Sequence, residues 1–135
     1  MKVFAVIDTN VIVSALLARN PGAATVKVLE AFFQGRIMPL VNDEIINEYR
    51  DVLHRPKFRF PKELVNSVIT AIEHTSISPG RTHSKEDFPD PKDAVFYEVA
   101  LSKDDAYLIT GNTKHFPHTP IVVTPAEMLE ILERD

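Results

Sequence analysis

An α/β fold, a parallel sheet with helices on both faces, is the class this sequence predicts, and three observations predict it. Short apolar runs alternate with helical patterns along the chain. No two neighbouring runs are joined by a hairpin turn, so the connections are crossovers. The first run, Val3-Phe-Ala-Val-Ile7, is apolar without alternation and rich in β-branched residues, as a strand buried on both faces requires. At 135 residues the chain is expected to form one domain over 1–135, with no linker, repeat or low-complexity segment.

The first strand stops at Asp8, and Asn10 is placed to cap a helix whose apolar residues include Val11, Leu16 and Leu17. Asn20-Pro21-Gly22 breaks that helix. Ala23 to Gln34 then reads as a second, with Val26, Leu29 and Phe33 on one stripe and Gly35 as terminator. Ile37 to Val41 reads as a strand. Asn42 or Asp43 caps a helix to about His54, its inward face carrying Ile45, Tyr49, Val52 and Leu53. Arg55-Pro56 ends it, and Pro61 opens another with Leu64, Val65, Val68, Ile69 and Ile72. The polar stretch 79–91 is a long loop, and Pro91 suits the first position of a helix to about Ser102. Tyr107 to Thr110 and Ile121 to Thr124 are further strands, and Pro125 begins a last helix to Leu132.

Composition narrows the chemistry. No cysteine is present, which excludes disulfides, thiolate zinc and a cysteine nucleophile. A metal would have to sit on oxygen or imidazole, and the five histidines show no ligand spacing. A net charge of −4 excludes a general basic coat for nucleic acid. Arg55, Lys57, Arg59 and Lys62 nevertheless form a run without an acid from 54 to 62, and Lys114, His115 and His118 form a second basic cluster. Apolar runs are too short to cross a bilayer and the opening residues lead into a strand, so a cytoplasmic protein without membrane contact is expected.

Parallel α/β sheets bind ligands at the carboxyl ends of their strands. Asp8 ends the first strand and Asn112 lies just past the third. Glu48 is at the rim of an apolar stripe, beside Ile45 and Val52. Asp93 shares a helical face with Phe96, Tyr97 and Ala100, in the first turn. Each has an ordinary alternative: Asp8 as a helix cap, Asp90 with Asp93 as a capping box, Glu48 as a solvated residue, Asn112 as turn chemistry. Their agreement on one sheet edge is what points to a site. Carboxylates gathered there repel one another, and Mg²⁺ or Mn²⁺ would relieve the repulsion and could ready a water for attack on phosphorus.

With these residues in view the chain resembles PIN-domain ribonucleases. Val6-Ile-Asp-Thr-Asn-Val-Ile-Val-Ser14 is similar to the first motif of that family. Ile46-Asn-Glu48-Tyr-Arg-Asp-Val-Leu-His-Arg-Pro56 resembles the second. Asp90-Pro-Lys-Asp93 and Leu108-Ile-Thr-Gly-Asn-Thr-Lys-His-Phe116 resemble the third and fourth, and the likeness runs on to Val123-Thr-Pro-Ala-Glu127. The branch it resembles holds bacterial toxins of toxin–antitoxin pairs. The resemblance implies a three-layer α/β/α sandwich with a central parallel sheet and a Mg²⁺- or Mn²⁺-dependent endoribonuclease acting on single-stranded RNA. It implies metal-binding acids at Asp8, Glu48 and Asp93, with Asp90 accessory. Thr110 and Asn112 would position water on the metal or the phosphate, and Thr9 and Asn10 would support Asp8. Many relatives carry an aspartate at position 112 or shortly after it, where this chain has Asn112 and His115. A catalytically weakened fold that binds RNA or a protein is therefore the alternative.

The resemblance also implies a homodimer and a small antitoxin as partner. The wide apolar face of Met128, Leu129, Ile131 and Leu132 could serve docking or simply pack on its own sheet. For RNA, Arg55, Lys57 and Arg59, interleaved with Phe58 and Phe60, and Lys114 with His115 are the candidate contacts. A phosphatase of the haloacid-dehalogenase type also puts an aspartate after its first strand. It needs a second aspartate two residues on, where this chain has Asn10.

Overall fold

Residues 2–134 are described by the structure, a computed structural model. Strands β1 (Val3–Ile7), β2 (Ile37–Pro39), β3 (Tyr107–Ile109) and β4 (Val122–Val123) form one parallel sheet in the order β2-β1-β3-β4. Helices α1 (Thr9–Leu17), α2 (Ala24–Phe33), α3 (Asp43–Leu53), α4 (Lys62–Thr75), α5 (Ala94–Leu101) and α6 (Pro125–Glu133) flank it. The α/β/α architecture with a parallel sheet is the one expected. Among the described residues no helix is long and apolar enough to cross a membrane.

β1 is central. Val6 pairs in register with Leu108 on one side, and Phe4 with Met38 on the other. Ala5, Val6 and Ile7 are fully buried, and burying a Val or Ile side chain contributes about 1.5–3 kcal/mol each. From β1 the chain crosses to β2 on one flank and returns through α3, α4 and α5 to β3 on the other. The carboxyl ends of β1 and β3 thus form the point where strand order reverses, the usual ligand crevice of such sheets. α2 packs on α6, while α5 packs on β1, β3 and α3.

Several elements differ from expectation in instructive ways. β2 stops at Pro39, and Leu40 instead makes a lone parallel bridge to Ile77, beyond the end of α4. Asp8, not Asn10, occupies the N-cap position of α1. On α2 the inward residues are Val28, Leu29, Ala31 and Phe32, and Phe33 is exposed. Leu17 and Leu64 are exposed as well. Each lies within a turn of a helix end, where the apolar stripe is no longer covered. The α3 stripe is as expected, with Ile45, Tyr49, Val52 and Leu53 buried. Asn42 is its cap: the side-chain oxygen accepts from the Ile45 amide at 2.9 Å, worth about 1 kcal/mol. α6 opens with a full capping box between Thr124 and Glu127, and its Met128 and Leu132 are buried. Gly35 ends α2 with φ 76°, a left-handed conformation suited to glycine.

Pro91 to Asp93 forms a tight 3₁₀ turn, and α5 proper starts at Ala94. The anticipated capping box forms by half. Asp90 accepts from the Lys92 amide at 3.0 Å, but the Asp93 side chain makes no capping hydrogen bond. Its carboxylate is left for other work.

Candidate active site

Asp8 leaves β1 at the switch point and is 8% exposed. Although it sits at a helix N-cap, its side chain makes no capping hydrogen bond. One carboxylate oxygen instead accepts from the Thr110 hydroxyl at 2.7 Å, across the seam between β1 and β3. Thr110 is fully buried, and its oxygen accepts in turn from the Asn112 amide at 2.9 Å. This chain of bonds fixes both the Asp8 rotamer and the turn after β3. Burial pushes the Asp8 carboxyl up, while the Thr110 hydroxyl, the nearby Asn10 and Thr9 amides and the His115 charge pull it back; the net shift is upward.

Asp93 faces the same place from the start of α5. Burial first, then the negative charges of Asp8 and Asp90, push its carboxyl to about 6, Glu48 adding to this and His115 opposing it. His115 Nδ1 lies 3.7 Å from an Asp93 carboxylate oxygen. Glu48 is raised as well: burial leads, Arg55 and Lys92 oppose, and Asp51 and Asp8 add to the rise. Beside it a cleft of about 340 Å³ is lined by Glu44, Asn47, Glu48, Asp51, Lys92 and Phe96. Asp8, Glu48 and Asp93, expected together from sequence, thus lie within electrostatic reach of one another, with Asp90 acting on Asp93. A larger groove between α2 and α4 contains none of these acids.

The supporting residues are less uniform. Asn10 is in the first turn of α1, its side-chain oxygen 3.5 Å from the Gly111 amide, a weak link between the β1 and β3 turns. The Thr9 hydroxyl is buried and, among the described residues, has no hydrogen-bond partner. Asn112, Lys114 and His115 are exposed, the last two in a short 3₁₀ turn. Arg55, Lys57 and Arg59 are exposed beyond the end of α3.

Two features of the surroundings were not singled out from sequence. The Tyr49 hydroxyl donates to the Ile7 carbonyl, and its ring lies 6.4 Å from that of Phe96. Tyr49 therefore ties the middle of α3 to the end of β1 and the first turn of α5, beside Glu48, Asp8 and Asp93 respectively. Glu98, 4% exposed on the otherwise apolar α5, holds the 79–90 loop. It accepts from Arg81 at 2.6 Å and from the Ser84 amide at 2.7 Å, while Arg81 also reaches Glu44 at 2.9 Å. A lone acid inside Ala94-Val-Phe-Tyr-Glu-Val-Ala-Leu101 was the available signal.

The donors suit a hard divalent cation: carboxylate and hydroxyl oxygens, no sulfur, one imidazole at the rim. Among the described residues no three His, Cys, Asp or Glu side chains are grouped so that they could hold an ion as they stand. Asp8 nevertheless raises both Glu48 and Asp93, Glu48 raises Asp93, and the unpartnered Thr9 hydroxyl adjoins Asp8 in sequence. Negative charge only partly offset by Arg55, Lys92 and His115, with a spare oxygen donor, fits a cation.

A parallel α/β sheet bearing acids at its switch point has them where such sheets bind ligands. The chain belongs to the PIN domain family, whose model matches residues 5–114. The match takes in the segments of Asp8, Glu48, Asp93 and Asn112 and ends before β4 and α6. PIN domains are generally nucleases and typically use divalent metal ions. No curated protein and no solved structure matches the chain.

Proposed function

We propose that this protein is a Mg²⁺- or Mn²⁺-dependent endoribonuclease of the cytoplasm that hydrolyses phosphodiester bonds of single-stranded RNA. We further propose that it is the toxin of a toxin–antitoxin pair, dimeric and restrained by a small antitoxin protein. One observation carries the nuclease reading: Asp8 and Asp93 stand at helix N-termini, neither caps its helix, and their carboxyls are raised, Asp8 by burial and Asp93 by burial and by neighbouring negative charge. The toxin reading rests on the likeness of the sequence motifs to that branch.

In this reading Asp8, Glu48 and Asp93 hold the cation, with Asp90 adding charge from the turn before α5. Bound there, Mg²⁺ or Mn²⁺ would supply the positive charge that activates a water and stabilises the departing oxygen. Thr110 keeps the Asp8 carboxylate in one orientation by donating to it. The Asn112 amide is anchored on the Thr110 oxygen, which sets the turn that presents the Asn112 side chain beside the phosphate. His115, close to Asp93, replaces negative charge with an imidazole at the rim and lessens repulsion of the RNA backbone.

Incubating a mixed single-stranded RNA pool with Mg²⁺ or Mn²⁺ tests this. Cleavage by the native chain, stopped by EDTA and lost in Asp8→Asn and Asp93→Asn, is expected. Cleavage that survives both substitutions would overturn the assignment of the acids. Absence of cleavage and of any calorimetric metal binding would favour the alternative, a PIN fold that binds RNA or protein without cutting. The departures at Asn112 and His115 are what support that alternative.

A further inference from the structure

Immediately after α3 the chain turns through Arg55-Pro-Lys-Phe-Arg-Phe60, and this turn has the makings of a second contact with the nucleic acid. Phe58 and Phe60 are stacked, ring centroids 5.4 Å apart and planes 12° from parallel. Phe60 packs against the hydrophobic core, whereas Phe58 is half-buried outside it. The Lys57 ammonium lies 5.1 Å from the Phe58 ring centre. Arg59 has φ 56°, an uncommon conformation for a side-chain-bearing residue, so the chain bends through the left-handed region between the two aromatic residues.

Charge surrounds the rings. Among the described residues Lys57 and Arg59 enter no ion pair, and Arg55 pairs with Asp51 at 3.2 Å where both side chains are open to solvent. Such a pair yields readily to a competing anion. The turn is also close to the acids. Arg55 acts electrostatically on Glu48, and it lies two residues beyond the end of the helix that carries Glu48.

We propose that Phe58, backed by Phe60, is a stacking platform for one unpaired nucleobase, and that Arg55, Lys57 and Arg59 hold the phosphates on either side of it. The core-packed Phe60 is the rigid floor and Phe58 the working surface. The Lys57 ammonium gives up an exposed contact with the ring for a phosphate as the base slides in. Stacking of this kind needs a base free of its partner, so the platform selects single strands over duplex. The inference rests on the reading of the chain as a nuclease acting on single-stranded RNA, and it places a grip on the substrate outside the acid centre.

The test uses the full chain carrying Asp8→Asn, so that bound RNA stays whole, and a fluorescent single-stranded RNA of about 12 nucleotides read by anisotropy. Adding Phe58→Leu, which keeps apolar bulk but not the aromatic face, is expected to weaken binding about tenfold. Binding to a duplex of the same sequence should be unchanged by it. The chain has no tryptophan, so Phe58→Trp supplies a single reporter whose emission should be quenched by the single strand. Unaltered affinity in Phe58→Leu, equal weakening on duplex, or an unquenched tryptophan would each overturn the platform. Loss of affinity in Lys57→Ala and Arg59→Ala alone would leave phosphate contact without stacking and overturn it too. Without the Asp8 change, Phe58→Leu should raise KM and spare kcat. RNA binding that depends on Phe58, with no cleavage by the native chain in Mg²⁺ or Mn²⁺, would sink the nuclease reading and keep the platform.

Discussion

Asp93 and Glu98 stand five residues apart at the start and the middle of one short helical segment, and the protein treats them in opposite ways. Glu98 is nearly inaccessible, which alone would push its carboxyl up. The Ser84 amide, Arg81 and His83 outweigh that and hold it below the usual glutamate range. Asp93 is more open, yet burial and three acidic neighbours, Asp8, Asp90 and Glu48, raise it to about 6. Partners, rather than depth, separate the two. A carboxylate supplied with donors braces the fold. One supplied with other carboxylates is a centre of stored repulsion, and such perturbed groups gather at functional sites.

The sharpest way to break this contrast is to neutralise each acid in turn. Asp93→Asn should lower metal-dependent cleavage by at least about a hundredfold, because charge stabilisation by a divalent ion is worth several kcal/mol. The same change should raise the metal-free melting temperature by roughly 2–4 °C as repulsion is relieved. Glu98→Gln should do the reverse, costing about 2 kcal/mol in urea unfolding, since it removes the charged partner of Arg81. A destabilised Asp93→Asn, or a Glu98→Gln chain as stable as its parent, would erase the distinction.

A smaller effect comes from pH. The raised carboxyl of Asp93 contributes stability below its ordinary value of 3.8, and that contribution is lost as pH climbs through about 6. The lowered carboxyl of Glu98 contributes above its ordinary value of 4.5 and is lost as pH falls through its depressed value. Without divalent ions, melting should therefore be highest between pH 3.8 and 4.5, where the Glu98 contribution is nearly complete and that of Asp93 has only begun to fall. Mg²⁺ at ten times its dissociation constant should add about 1.4 kcal/mol at pH 7.5 and flatten the slope on that side. A metal-free melting temperature that rises steadily to pH 7.5 would contradict the repulsive centre. The smallest effect is expected at Thr9, whose buried hydroxyl lacks a partner. Thr9→Val should gain about 0.5–1 kcal/mol while weakening Mg²⁺ binding measured by calorimetry, and unchanged metal affinity would exclude that hydroxyl from the centre.

How far these features could be read in advance depended on their range. β1, the stop at Asp8 and the inward face of α3 were legible because they follow from periodicity and one neighbouring residue. The choice between Asn42 and Asp43 as cap needed the geometry, as did the finding that Asp8 and Asp93 leave their helices uncapped. α5 defeated periodicity altogether. Val95 through Ala100 are buried on every side, Glu98 included, so no polar face marked its orientation. Phe33 and Leu64 misled for the opposite reason, being apolar where the core no longer reaches. The partners of Glu98 lie in the 79–90 loop, and nothing in a polar stretch announces which arginine will turn inward.

The bond between Thr110 and Asp8 spans 102 positions of the chain. A ribosome adding 5–20 residues each second delivers these two side chains about 5–20 s apart. Throughout that interval the nascent polypeptide carries an aspartate whose orienting hydroxyl does not yet exist. Strand order thus acts as a clock, completing the acid centre only when β3 emerges and slots in beside β1.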